Sequence, residues 1–253
     1  MKRGTFALLD CLGFKGIWKR YEHQLLMAKL KSISEHAERA AKERIYPEII
    51  PAEDIIYDVR VMLLSDTVAV SLLPMKDETF RIFQLIAMTQ LIHQLIKVFI
   101  KDQPHLPLRG CITYGEHSTE HNFFIGPAVD IVAEYLDSAQ GAFVWFLPSD
   151  SEILDNWFDA RSVGSDADHV RTLYEALSPK YAVPMKNGNY LTTRLINPFQ
   201  YNEPNDDADD IIQLYKDYMA GDTIDIWIKR ENTLKFLERC KTLSRDAWRT
   251  ANR

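Results

Sequence analysis

The chain has 253 residues, 46% of them hydrophobic and 26% charged, and a formal net charge of −6. That length supplies a core for one large domain or two small ones, and the acidic balance argues against a general nucleic-acid binder, which would usually be basic. The three cysteines, Cys11, Cys111 and Cys240, form no CxxC pair, so neither a zinc site nor a disulfide framework is signalled.

The first residues, Met1-Lys2-Arg3-Gly4, run into an apolar stretch too short for a signal sequence. No stretch reads as long enough to span a bilayer, and the expectation is a cytoplasmic protein without a membrane partner. Residues 5–10 read as a buried strand that ends in Asp10. After Cys11-Leu12-Gly13 the pattern turns helical from Phe14, with Trp18, Tyr21, Leu25 and Leu26 at three- and four-residue spacing, and continues to about Arg44, before Tyr46-Pro47. A helix starting there would aim unpaired backbone amides into the space beside Asp10. Residues 55–64 and 68–73 read as a β-hairpin with Asp66 at its turn. Residues 78–101 form an amphipathic helix with Phe80, Phe83, Ala87, Leu91, Leu95 and Val98 on its apolar face.

A strand at 108–116 follows, then a polar turn from His117 to Asn122 and a short strand at 123–125. Gly126-Pro127 opens a helix whose inner face is expected to carry Val129, Ala133 and Leu136. A buried strand at 141–147 and a helix after Pro148-Ser149-Asp150 come next. Residues 166–177 look helical, and a second hairpin closes around Asn187-Gly188. Asn202 to Asp210 is an acidic linker, and two helices end the chain. The fold class is therefore α+β: a ferredoxin-like βαββαβ portion, a mixed sheet with helices on one face, followed by an additional hairpin and C-terminal helices. Residues 1–198 are expected to form the catalytic domain and 199–253 a helical extension.

In that topology the end of the first strand lies beside the hairpin, so Asp10 and Asp66 converge. Singly, an aspartate at a strand end or in a turn is an ordinary cap. Together, two carboxylates can hold two divalent cations roughly 3.5–4 Å apart, which activates an attacking hydroxyl and neutralises a polyphosphate leaving group.

Four stretches, in this order, resemble the class III nucleotidyl cyclases: Leu9-Asp10-Cys11-Leu12-Gly13-Phe14, Leu64-Ser65-Asp66-Thr67-Val68-Ala69, Leu108-Arg109-Gly110-Cys111-Ile112-Thr113-Tyr114-Gly115-Glu116, and Ile125-Gly126-Pro127-Ala128-Val129-Asp130. The resemblance covers residues 4–150, with a weaker echo to 198. It implies conversion of a nucleoside triphosphate to a 3′,5′-cyclic monophosphate and pyrophosphate with two Mn²⁺ or Mg²⁺ ions. Asp10 and Asp66 match the metal aspartates, and Cys11 the residue that adds a backbone carbonyl. Leu12, Gly13, Phe14 and Lys15 match the turn that holds the triphosphate, and Lys186 sits where a phosphate-binding lysine is expected.

The departures from the family pattern carry the substrate expectation. Arg60 stands where purine cyclases carry a base-selecting lysine or glutamate, and Phe123 where they carry a second base contact. Arg60 only donates hydrogen bonds, which suits a carbonyl of uracil or O2 of cytosine, and Phe123 would narrow the pocket. Asp130 replaces the ribose-orienting asparagine, and Glu134 replaces the arginine that stabilises the transition state. Arg109, Lys186 and Arg194 are the candidate substitutes for that cation. These features are similar to the Pycsar pyrimidine cyclases of bacterial anti-phage defence. That likeness implies UTP or CTP as substrate, a homodimer with composite active sites, and a separate effector activated by the cyclic nucleotide. The alternatives are a purine cyclase and a catalytically dead cyclase-like module that binds a nucleotide. A palm-type polymerase or diguanylate cyclase ranks below them, because no GGDEF-like hairpin is present.

Overall fold

Strand β1 (Lys2–Cys11) is apolar at residues of both parities, and Phe6, Ala7 and Leu9 expose no surface. A strand of that composition belongs in the middle of a sheet covered on both faces. The computed structural model places it there; it describes residues 1–40, 57–75, 81–101, 103–121, 123–160, 167–199 and 208–251. The chain divides into two compact units, Met1–Asp137 and Ser138–Arg253.

In the first unit β1 leads to α1 (His23–Ala40), the hairpin β2 (Tyr57–Leu64) and β3 (Thr67–Pro74), α2 (Arg81–Lys101), β4 (Leu108–Glu120), β5 (Phe123–Ile125) and α3 (Pro127–Tyr135). Along the path β2-β3-β1-β4-β5 each neighbouring pair of strands is antiparallel. Its first four strands and two helices reproduce the expected βαββαβ order, and the class is α+β. Residues 41–44, 55–56 and 78–80, where the sequence suggests a helix end, a strand start and a helix start, lie outside the described residues.

Several boundaries differ from expectation. The helix does not begin at Phe14. Gly13 and Gly16 take φ of 68° and 77°, a left-handed geometry that ends α-helical winding. A single 3₁₀ turn (Ile17–Lys19) follows, and α1 starts only at His23, so the expected α-helix does not open directly after Asp10-Cys11-Leu12-Gly13. Residues 117–120 of the expected turn are strand, and Asn122 lies outside the described residues. They pair with β1 and β5, and His117 is buried with its Nε2 2.8 Å from Ser71 Oγ. The inward residues of α3 are Ala128 and Val132, while Ala133 faces out. Helix α2 is long and apolar enough to cross a membrane by length and composition, contrary to the sequence reading, yet 78% of its most apolar window is buried. It is a core helix whose Leu85, Ile86, Ile92, Leu95 and Phe99 expose nothing.

The second unit contains β6 (Val144–Phe146), α4 (Pro148–Ala160), α5 (Ala167–Leu177), the hairpin β7 (Lys180–Pro184) and β8 (Tyr190–Arg194), α6 (Ala208–Tyr218) and α7 (Ile224–Ala251). The hairpin turns at Asn187-Gly188 as its sequence requires, with Gly188 at φ 83° and Asn187 Oδ1 accepting the Asn189 N–H at 3.0 Å. Phe143 packs edge-on against Phe236, and Thr233 Oγ1 accepts the Ala142 N–H at 2.8 Å, which ties α7 into this unit. Residue 198 falls inside it. Residues 202–207 of the acidic linker lie outside the described residues, and Asp209-Asp210 form the first turn of α6.

Candidate active site

The site begins with strand ends. β1 ends at Cys11, and the β2–β3 turn lies beside it because β3 pairs with β1 in a register that sets Asp10 opposite Thr67. The Cys11 N–H donates to the Asp66 carbonyl at 2.7 Å, and Ser65 takes a positive φ of 58° to close the turn. Asp10 and Asp66 are thus brought to one end of the sheet by a backbone contact, although they are far apart in sequence. The Cys11 thiol registers both: burial first, then the charges of Asp10 and Asp66, raise its pKa well above the ordinary thiol range. That thiol stays protonated and apolar in behaviour.

On the other side of β1, β4 sets Arg109 directly opposite Asp10. Arg109 Nε and Nη2 each lie 2.8 Å from the same oxygen, Asp10 Oδ2. The two side chains are only 15% and 16% exposed, so the pair is largely shielded from water. The Asp66 carboxylate has no hydrogen-bond or ion-pair partner among the described residues. Among the described residues no group of three or more His, Cys, Asp and Glu side chains forms a metal cage. Two carboxylates with nearby carbonyls are hard oxygen donors, and they fit a Mg²⁺- or Mn²⁺-type ion that completes its shell with water and phosphate oxygens.

The turn after Asp10 is partly committed to the protein itself. The Leu12 N–H donates to the Pro107 carbonyl at 2.9 Å, and the Phe14 N–H reaches the Cys11 carbonyl at 3.4 Å. Among the described residues the amides of Gly13 and Lys15 enter no backbone hydrogen bond. Phe14 is buried and anchors the turn, while Lys15 is exposed. Arg20 was not singled out from the sequence, yet its Nη2 donates to the Gly13 carbonyl at 2.5 Å and clamps the turn from behind. No sequence signal marks it, because a side chain bonding a backbone carbonyl of a glycine turn has no residue-type code. The Pro107 carbonyl carries no such signal either.

The remaining sequence candidates scatter. Arg60 lies on the edge strand β2 with its Nε 3.0 Å from Asp58 Oδ1, and its side chain is 54% exposed. It shares a sheet face with Asp10, since alternate residues of paired strands point the same way. Phe123 is 74% exposed on β5. Asp130 and Glu134 lie on an exposed side of α3, one turn apart. Lys186 belongs to the second unit, in the β7–β8 turn, where its N–H donates to the Ser138 carbonyl at 2.9 Å.

Arg194 also belongs to the second unit, and its role there is evident. Its Nε is 2.6 Å from Asp155 Oδ1, its Nη2 2.6 Å from Glu175 Oε1, and its Nη1 donates to the Ser178 carbonyl at 2.6 Å. The side chain is 4% exposed and packs over the Tyr174 ring. Burial opposes its charge, but Tyr174, Glu175 and Asp155 more than compensate and hold the guanidinium protonated. With its donors committed to protein acceptors in the interior, Arg194 is a structural residue here.

No family model and no curated protein matches the sequence. Among solved structures, the catalytic core of a rhodopsin-guanylyl cyclase with converted specificity, in complex with ATPalphaS, is similar at 12% identity and a TM-score of 0.46, covering 77% of this chain and 94% of that one. The adenylyl cyclase CyaB from P. aeruginosa is similar at 12% identity and a TM-score of 0.44, covering 77% and 93%.

Proposed function

We propose that the chain is a metal-dependent nucleotidyl cyclase of class III type. The observation that carries this reading is the meeting of Asp10 and Asp66 at one end of a βαββαβ sheet through the Cys11–Asp66 backbone bond. The four ordered motifs of the sequence resemblance support it. Divalent cations held between the two carboxylates would supply the charge that lowers the pKa of a ribose hydroxyl and offsets the triphosphate. Asp10 and Asp66 fix that charge in place. Gly13 and Lys15 present backbone amides to an anionic ligand, and the Arg20 clamp holds their turn in shape.

The substrate we propose is a pyrimidine triphosphate, UTP before CTP, with Arg60 and Phe123 at the base. The product would act on a separate effector in antiviral defence, and residues 1–198 would form the catalytic portion. A homodimer with composite sites accords with the apolar surface of the first unit, where Leu64, Phe123 and Ile125 are largely exposed. One observation favours a purine substrate instead: Arg60 Nε is already engaged by Asp58, which reduces its claim on a pyrimidine carbonyl. Glu134, an acid where a cation is needed, favours the catalytically dead reading.

Incubating the full chain with each of the four nucleoside triphosphates and Mn²⁺, and resolving products by chromatography, separates the three. Cyclic UMP or cyclic CMP supports the pyrimidine assignment. Cyclic AMP or cyclic GMP alone moves the assignment to purines. No cyclic product with any triphosphate overturns the enzyme reading, and nucleotide binding is then the remaining activity to measure.

A further inference from the structure

We propose that the first two turns of α7 are an interface with a second copy of this chain, the two helices crossing antiparallel at Trp227. The interface lies wholly in the second unit. It is independent of the reading of Asp10 and Asp66 as cation ligands, and it uses none of the exposed apolar residues of the first unit.

Helix α7 carries two stripes of different length. The inner one runs through Thr233, Phe236, Leu237, Cys240, Ser244 and Ala247, all buried, at the spacing of a helix face turned to a core. The outer one opens with Ile224, Trp227 and Ile228 and then becomes polar at Glu231, Lys235, Glu238 and Thr242. Ile224 is 79% exposed and Trp227 54% exposed. From Gly221 to Asn232 no residue is buried, so the first two turns stand clear of the core that holds the rest of the helix. They are nevertheless well formed. Thr223 Oγ1 accepts the Ile226 N–H at 3.3 Å, and the Thr223 carbonyl accepts the Trp227 N–H at 3.0 Å, which caps the helix start. Apolar side chains at i, i+3 and i+4 are the anchors by which one helix docks on another surface.

The charges choose the occupant. Asp222 and Asp225 precede the apolar cluster, and Lys229 and Arg230 follow it. On an antiparallel copy crossing at Trp227, Asp225 stands two residues before the axis and Lys229 two residues after it. Each aspartate then meets the other chain's lysine, twice by symmetry. A parallel copy would set like charges together. Lys229 Nζ lies 2.5 Å from Asp225 Oδ2 of its own helix, yet the Asp225 side chain stays 60% exposed, which leaves the carboxylate open to a second cation. The two acids at the helix start count against an anionic lipid surface, which draws basic segments.

The test follows the mass of the full chain by sedimentation equilibrium over a wide range of concentration. Wild type is expected to show an association step that Trp227→Ala abolishes, whatever assembly the first unit supports. Asp225→Lys and Lys229→Asp each set like charges across the axis, and each is expected to weaken that step at least about tenfold. Mixing these two variants is expected to restore it, because every lysine at these positions then meets an aspartate of the other chain. Misfolded chains cannot give that rescue. No association step in wild type, a step that survives Trp227→Ala, or charge variants that stay apart when mixed overturns the proposal. Trp227-dependent binding to phosphatidylserine vesicles without a change of mass also overturns it and assigns the patch to a lipid surface.

Discussion

Two arginine–carboxylate groupings in this molecule use the same chemistry to opposite ends. In the second unit, Arg194 is 4% exposed and meets Asp155, Glu175 and the Ser178 carbonyl, each at 2.6 Å. In the first unit, Arg109 meets one oxygen of one carboxylate, and the two side chains keep 15% and 16% of their surface exposed. A buried guanidinium with every direction filled cannot move without leaving uncompensated charge, so its value is structural. The Asp10–Arg109 pair keeps a share of its surface in water and joins one arginine to one carboxylate, so breaking it costs less. Burial and saturation, rather than the ion pair itself, set how much each arginine contributes to the fold.

Removing Arg194 should produce the largest effect on stability. Arg194→Met leaves Asp155 and Glu175 facing a hydrophobic side chain, and a loss of about 3 kcal/mol is expected in urea denaturation of the full chain. A loss below about 1 kcal/mol would erase the contrast. Asp10→Asn should cost about 1–2 kcal/mol, because Arg109 then lacks a charged partner where water reaches it only in part. Asp66→Asn, whose carboxylate has no described partner, should stay within about 0.5 kcal/mol. Under the proposed function both substitutions should nevertheless lower cyclic nucleotide formation by at least about 100-fold. Equal stability losses in the two variants would show that the Asp10–Arg109 pair contributes nothing to the fold.

A third pair tests the interior of the same sheet. Burial lowers the pKa of His117, and its contact with the Gly115 carbonyl only partly opposes that shift. The folded state therefore binds a proton less readily than the unfolded chain, whose histidine titrates near about 6.5. Stability is fully present above that pH and declines as pH falls toward the folded-state value. Melting of the wild type should drop on acidification below about pH 6.5, and His117→Gln should show a flatter dependence. A steeper slope in the variant would reverse the assignment. The smallest effect on stability is expected at Arg60. Its pair with Asp58 is exposed, so Arg60→Ala should change stability by no more than about 0.5 kcal/mol. If Arg60 selects the base, the ratio of UTP to ATP turnover changes while the melting curve does not.

Much of the architecture was legible because it is written in period and punctuation. Helix α2, the β2–β3 hairpin and the Asn187-Gly188 turn fall where apolar spacing and turn residues place them. The start of α1 was not, because Phe14, Trp18 and Tyr21 keep helical spacing while Gly13 and Gly16 take backbone angles that spacing does not reveal. His117 read as part of a turn because its neighbours are polar; its burial beside Ser71 and Phe6 depends on which strands are adjacent.

The sequence by itself determined that an acid ends the first strand, that another stands in a hairpin turn, and that a βαββαβ order would bring them together. Those facts follow from local pattern and chain connectivity. Only the tertiary structure decided the partners. It set Arg109 on Asp10 across the β1–β4 register, took the Leu12 amide for Pro107, and buried Arg194 in a separate network. Partner choice is a matter of strand register and burial, and both are properties of the packed sheet that no stretch of residues carries alone.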